Sequence, residues 1–318
     1  MERIRRNRNG IAVIGTTFVD IKGYPQTKYI PGGRNAGRVL HVHGGVCRNI
    51  AEDIANVELR PSFVTVVGDD GLGHAVVSQL QRHKVNTDFV RYEPDGTGIW
   101  LAVFDNSGDV VASISQRPDT DGIARILDER GDEIFAGADS VAVEMDISDD
   151  ILKRIFRLAQ KYGIGVYAPV SNMSIAVERR DLLRYLSCFV CNVQEAGLLF
   201  SEDYTGKTPE EMADLLAERI RDGEILRIVV TMGAQGAVYA EADGTRGTVP
   251  PIPVDAVDTT GCGDAFFAGV CIGLTYGKTL EEACRIGTRL AASVIATREN
   301  VCPRFLPAEF GLEFEDGE

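Results

Sequence analysis

Apolar runs of strand length alternate with helix-period segments along most of the chain, and this rhythm restricts the fold more than any other feature. IAVIG (11–15), SFVTVVG (62–68), SVAVEM (140–145), GIGVYA (163–168), SCFVCN (187–192) and LRIVVTM (226–232) read as buried strands. VCRNIAEDIANV (46–57), GLGHAVVSQLQRH (71–83), DDILKRIFRLAQKYG (149–163) and PEEMADLLAERIRDG (209–223) read as the helices between them. Strands joined through helices run parallel, so the pattern predicts an α/β fold, a doubly wound, mostly parallel sheet flanked by helices. In such sheets ligands gather outside the carboxyl ends of the strands, so the residues just after these runs are the ones to inspect.

Two segments break the rhythm. Residues 17–43 are rich in Gly and Pro with short β-like pieces, and TGIWLAVFDNSGDVVASISQ (97–116) holds two alternating runs joined through Asn106, Ser107 and Gly108, a hairpin signal. Neither alternates with helices, so together they are expected to form a small β-sheet projecting as a lid from a single domain spanning residues 1–318. A chain of 318 residues favours one large core with such an elaboration over two full domains.

A net charge of −14 repels polyanions, so no nucleic-acid polymer is expected as a partner and a small molecule is. Arg3, Arg5, Arg6 and Arg8 read as a solvated start, and the acidic EFEDGE (313–318) as a solvated end. No run has the length of a signal peptide core or a membrane span, which makes a cytoplasmic protein with no membrane partner the expectation. The seven cysteines, an odd number scattered through apolar stretches, fit free thiols. The pair Cys188 and Cys191 lacks a second pair at zinc spacing and reads as core. GLTYGKT (273–279) fails the phosphate-loop spacing and follows a helix, and His41 and His43 lack a third metal ligand.

The chemistry concentrates after VDAV (254–257), where Asp258, Thr259, Thr260, Gly261, Cys262, Gly263 and Asp264 lead into the apolar AFFAGVCIGLTYG. A glycine-rich turn that opens a buried helix aims unpaired N–H groups outward at the positive end of the helix dipole, a place for a phosphate or a developing anion. A carboxylate in that first turn is placed to take a proton from an attacking hydroxyl. The same residues also satisfy a plainer reading, a helix cap in which Asp264 merely complements the dipole. A thiol at such a helix start is expected to have a lowered pKa, which would expose Cys262 to oxidation that blocks the anion site.

DTTGCGDAFFAG (258–269) resembles the second signature of the ribokinase-like (PfkB) carbohydrate and nucleoside kinases, with Cys262 where alanine is usual. GGVCRNIAEDIA (44–55) with TVVGDDGLG (65–73) is similar to the family's first signature, NVQEAGLL (192–199) to its NxxE element, and VTMGAQGAVY (230–239) to its TxGxxG, all in family order. The resemblance implies a kinase with Asp264 as catalytic base and Gly261, Cys262 and Gly263 as the anion hole. It implies that Asp20 and Asn49 grip substrate hydroxyls and that Gly44 and Gly45 form the hinge of the lid. It further implies ATP lined by Asn192, Thr231, Gly233 and Gly236, Mg²⁺ organised through water by Glu195, and a monovalent cation such as K⁺ beside Asp258 and Thr260. Lids of this family often pair across a two-fold axis, so a homodimer through the lid is expected, with Trp100, Val103 and Phe104 facing the partner.

The lid sequence and APVSNMSIA (168–176) resemble the pseudouridine kinase branch, which implies phosphorylation of the 5′-hydroxyl of a nucleoside. Phe18 and Ala168 depart from that branch, which has asparagine and aspartate there. Ribose, fructose, a sugar acid or adenosine therefore stay open as acceptors, as does a non-catalytic nucleotide-binding protein.

Overall fold

The computed structural model describes residues 10–314 apart from 171, 223 and 313; the arginine-rich start and most of the acidic end lie outside the described residues. In chain order the strands are β1 (Ile11–Ile14), β2 (Phe18–Pro25), β3 (Gly37–Gly44), β4 (Ser62–Val67), β5 (Val90–Tyr92), β6 (Gly98–Phe104), β7 (Val110–Gln116), β8 (Ser140–Val143), β9 (Gly165–Pro169), β10 (Cys188–Asn192), β11 (Arg227–Thr231), β12 (Ala237–Glu241) and β13 (Arg246–Val249). The helices are α1 (Val46–Asn56), α2 (Gly71–Arg82), α3 (Asp121–Gly137), α4 (Asp149–Tyr162), α5 (Met173–Glu178), α6 (Val193–Phe200), α7 (Pro209–Arg219), α8 (Cys262–Thr275) and α9 (Leu280–Ile295).

Nine strands form one sheet in the order β13-β12-β11-β10-β9-β8-β1-β4-β5, parallel except for the antiparallel edge made by β12 and β13. Strand alternation divides its side chains between two cores. Ala12, Ile14, Val64, Val141 and Phe189 face α3, α4 and α7, while Ile11, Val13, Phe63, Ala142 and Val190 face α1, α2, α8 and α9. Cys188 and Cys191 illustrate the rule. Three residues apart on β10, they enter opposite cores, and both are buried free thiols, which agrees with core residues rather than a zinc pair.

The two segments that broke the rhythm form the second sheet, in the order β3-β2-β6-β7. Parallel pairing of β2 with β6 sets Asp20 beside Trp100, and antiparallel pairing of β3 sets Val42 on the other side of Asp20. Period-two alternation therefore puts Asp20, Lys22, Tyr24, Trp100 and Phe104 on one face, and Val39, His41, Leu101, Val103 and Ile114 on the other. This corrects the grouping read from the sequence, because Val103 faces away from Trp100 and Phe104. The antiparallel edge was also unforeseen, although Asp243-Gly244 between β12 and β13 carries a hairpin signal.

Helix α8 fixes the place of the glycine-rich turn. Thr275 near its end bonds Ser140 at the start of β8 (2.6 Å between hydroxyl oxygens), and Tyr276 reaches Asp139 just before that strand. With its end at the strands' amino ends, α8 begins at their carboxyl ends, where ligands of open α/β sheets sit.

Candidate active site

The turn before α8 requires glycine at its cap. Gly261 has φ +80°, in the left-handed region, and a Cβ there would lie 2.1 Å from the Asn300 carbonyl oxygen. The first helical bond runs from Ala265 N–H to the Gly261 carbonyl (2.9 Å) and Cys262 N–H donates to the Thr259 carbonyl (3.3 Å), so the N–H groups of Gly263 and Asp264 are the first-turn donors left to an anion. The Gly263 and Cys262 N–H groups act on the Cys262 thiol in the direction of a lowered pKa. The thiol is nevertheless pushed above its ordinary range, first by burial and then by the Asp264 charge. The lowered pKa expected from the helix start is thus overturned, and with it the basis for selective oxidation.

Asp264 follows within the same turn. Its Oδ2 accepts a hydrogen bond from Asn49 Nδ2 at 2.6 Å. Burial raises its pKa from 3.8 to about 6, against the Asn49 hydrogen bond and the nearby Arg48 charge, both of which lower it. A carboxylate tuned to that range ionises at neutral pH yet holds a proton more firmly than an ordinary one, which suits a general base.

Asn49 was expected to grip substrate hydroxyls, and here it is largely spent on the protein. Its Oδ1 accepts from Arg48 Nη2 and from Asn300 Nδ2 (3.3 Å), and its Nδ2 donates to Asp264. At most one N–H remains for a substrate.

Asp20 lies against Gly44, where a Cβ would come within 3.1 Å of its Oδ1, and it pairs with Lys22 at 3.7 Å. Burial raises its pKa, opposed by Lys22 and Arg48. The Asp258 carboxyl is held below its ordinary value, first by the Thr260 N–H and hydroxyl and to a smaller extent by the Lys22 charge. Gly45, the cap of α1, has φ +97°, and a Cβ there would meet the Phe18 nitrogen at 2.9 Å. The link between the small sheet and α1 is therefore a position for glycine.

On the other half of the sheet edge, Asn192 and Thr231 are register neighbours at the carboxyl ends of β10 and β11. Gly236 has φ +91°, and a Cβ there would lie 2.1 Å from the Val249 carbonyl oxygen, while Gly233 has φ +57° with open space around it. Glu195 closes a capping box with Asn192. The Asn192 side chain accepts from Glu195 N–H (2.9 Å), and Glu195 Oε2 accepts from Asn192 N–H (2.7 Å). One carboxylate oxygen of Glu195 remains, half-buried, with its pKa raised by desolvation. A half-buried carboxylate oxygen of this kind fits a hydrated Mg²⁺. Asp258 Oδ1 accepts from Thr260 N–H (2.8 Å) within its own turn.

Sequence reasoning passed over Glu144, Arg48, Glu52 and Asn300. Glu144 sits just past β8, buried, with Oε1 accepting from Thr16 N–H at 2.5 Å, and burial together with Asp146 raises its pKa to about 8. The rule of looking just past each strand would have found it. Ala168, one of the two departures noted above, is fully buried in the core.

This fold, with a glycine-capped helix presenting a carboxylate at the carboxyl ends of a parallel sheet, defines a class of phosphotransferases. The sequence profile described as pfkB family carbohydrate kinase matches residues 8–303, and the chain belongs to that family. It is similar to guanosine-inosine kinase of Exiguobacterium acetylicum, 36% identical over 94% of this chain and 99% of that one. It is also similar to pseudouridine kinase of Escherichia coli strain K12, 28% identical over 88% of each. Among solved structures, Arabidopsis thaliana ribokinase complexed with ribose and ATP superposes with a TM-score of 0.80 at 21% identity, covering 97% of this chain and 100% of that one. Kinases of this family use ATP with a divalent metal. Among the described residues no helix is long and apolar enough to cross a membrane.

Proposed function

We propose that this phosphotransferase is a nucleoside kinase that transfers the γ-phosphoryl group of ATP to a 5′-hydroxyl, with a 6-oxopurine ribonucleoside such as guanosine or inosine as acceptor. The observation that carries the nucleoside reading is the register of the small sheet, in which Asp20, the candidate for gripping a ribose, has Trp100 as its immediate neighbour on the same face. Trp100 meets Phe104 edge-on at 6.4 Å, and Phe104 stacks on Tyr24 at 4.7 Å. A flat aromatic surface beside a hydroxyl-binding carboxylate suits a base attached to a sugar. The likeness to guanosine-inosine kinase supports the purine. Pseudouridine is the second reading, supported by the motif succession and by the likeness to pseudouridine kinase.

In this reading Asp264 receives the 5′-hydroxyl proton while the turn from Gly261 to Gly263, with the Gly263 N–H as its free donor, holds the transferring phosphoryl group. Asn192, Thr231, Gly233 and Gly236 line the ATP, and Glu195 holds Mg²⁺ through water. When bound, that ion supplies charge neutralisation on the phosphates. The small sheet closes over the acceptor about Gly44 and Gly45 and excludes water.

A panel of guanosine, inosine, pseudouridine, adenosine, ribose and fructose, read by ADP release, tests the acceptor. The highest kcat/KM is expected for guanosine or inosine, and preference for a free sugar would overturn the nucleoside reading. Trp100→Ala is expected to raise the nucleoside KM by about tenfold with a smaller effect on kcat, the scale of one lost stacking contact. An unchanged KM would remove Trp100 from the site. Val39, Leu101 and Ile114 leave an exposed apolar surface on the opposite face of the small sheet. We assign a second copy of the chain to that surface. A dimer mass by light scattering that falls to a monomer in Ile114→Asp is the expected result, and a monomer in the unaltered chain removes the assignment.

A further inference from the structure

Helix α1 buries polar side chains along much of its length: Arg48, Asn49, Glu52, Asp53 and Asn56 are each less than a tenth exposed. Burying such groups is costly unless each finds a partner, so their partners indicate what they do. Asn56 and Asp53 dock the segment that follows α9. Asn56 Nδ2 donates to the Cys302 carbonyl (2.7 Å), and Asp53 Oδ1 accepts from Cys302 N–H (2.6 Å). Arg48 and Glu52 bind none of that segment and need another explanation.

All three nitrogens of the Arg48 guanidinium are used. Nη1 donates to Glu52 Oε2 at 2.6 Å, Nε to the Gly44 carbonyl at 3.4 Å, and Nη2 to both the His43 carbonyl and Asn49 Oδ1. Glu52 is anchored in turn by Gln79 Nε2 (3.2 Å) and His83 Nε2 (3.2 Å), which line a pocket of about 430 Å³ behind α1. Asn300, from the loop after α9, donates to the same two acceptors as Nη2, the His43 carbonyl and Asn49 Oδ1. An amide oxygen that faces two donors cannot rotate away from them, so the Asn49 NH₂ group is forced toward Asp264. A buried ion pair seldom adds net stability compared with apolar residues of similar volume, so stability alone does not explain Arg48 at this place.

We propose that Arg48 is a positioning residue for phosphoryl transfer. It locks the Asn49 amide so that its N–H aims Asp264, and it ties the His43–Gly44 connection of the small sheet to the same guanidinium. Sheet position and aim of the carboxylate then depend on one side chain. The inference rests on Asp264 being the base, so Asp264→Asn is assayed alongside.

Two variants separate charge from geometry. Arg48→Lys keeps a cation but cannot reach four acceptors from three nitrogens, and Arg48→Met keeps bulk without charge or donors. Both are expected to lower kcat by at least tenfold while KM for ATP stays within twofold, the mark of lost alignment. The acidic limb of the kcat profile is expected to move upward in Arg48→Met and to stay in Arg48→Lys. The groups that face or feel this cation are Glu52 and Asp53 on α1, Asp20 and His43 on the small sheet and Asp264 on α8, with His83 after α2 against the far oxygen of Glu52. If Arg48→Met does not fold, Arg48→Lys decides. Wild-type kcat in a folded Arg48 variant, with Asp264→Asn inactive, overturns the positioning role. An active Asp264→Asn overturns the base reading instead.

Discussion

Asp264→Asn is expected to lower kcat by about 10²- to 10⁴-fold, the range over which a general base contributes, with KM for both substrates little changed. The asparagine can still accept the Asn49 hydrogen bond that Asp264 accepts at 2.6 Å, so the surrounding hydrogen bonds survive. What disappears is the only step at which the side chain takes up a proton. Stability is expected to move the other way. The folded carboxyl is raised from 3.8 to about 6 by burial, so its contribution to stability is fully present below the unfolded value and is lost as pH rises through about 6. At pH 8 the ionised group is a burden that asparagine does not carry. A melting temperature at pH 8 equal to or above that of the unaltered chain, together with loss of turnover, would mark a residue kept for chemistry at the expense of stability. Turnover within a few-fold of the unaltered chain would leave Asp264 as a helix cap.

The second large effect is on pH dependence. A base with a pKa of about 6 predicts kcat/KM that is flat above pH 7 and falls about tenfold per pH unit well below 6. An ordinary aspartate would hold the plateau down to about pH 4. Steady-state rates from pH 4.5 to 8.5, with ATP and metal saturating at each point, distinguish the two. Glu144, raised to about 8, titrates inside the same window. Glu144→Gln is the control, and the limb near 6 is expected to persist in it. A profile without a limb near 6 would mean that the Asp264 proton is not the one lost.

Both expectations depend on a residue that the sequence located by motif and the fold surrounded with specific neighbours. The alternation of IAVIG, SFVTVVG, SVAVEM and their helices was enough to read a doubly wound sheet, because strand and helix periods are written into consecutive residues. DTTGCGDAFFAG likewise identified a glycine-capped helix start by local rules, and its resemblance to a kinase signature was legible in the letters alone. The hairpin at 97–116 was also legible, through its turn residues.

Other features were not available at that level. Asn49 reads as a substrate ligand, and its partnership with Asp264 spans 215 positions of chain. Arg48 reads as one more charge on an amphipathic helix, and only the folded chain buries it, with its guanidinium against the end of β3. Cys262 reads as an activated thiol by its place on the helix, whereas the surrounding desolvation and the Asp264 charge push it the other way. Trp100 reads as an interface residue until the register of β2 against β6 brings it beside Asp20.

The sequence by itself determined the class of fold, the order of its elements and the helix start that carries the chemistry, because each depends on residues close together in the chain. The tertiary structure decided which side chains share each face of the small sheet, which polar groups share a desolvated space, and in which direction each carboxyl and thiol is shifted. Those outcomes depend on burial and charge contributed by distant segments, and no local periodicity encodes them.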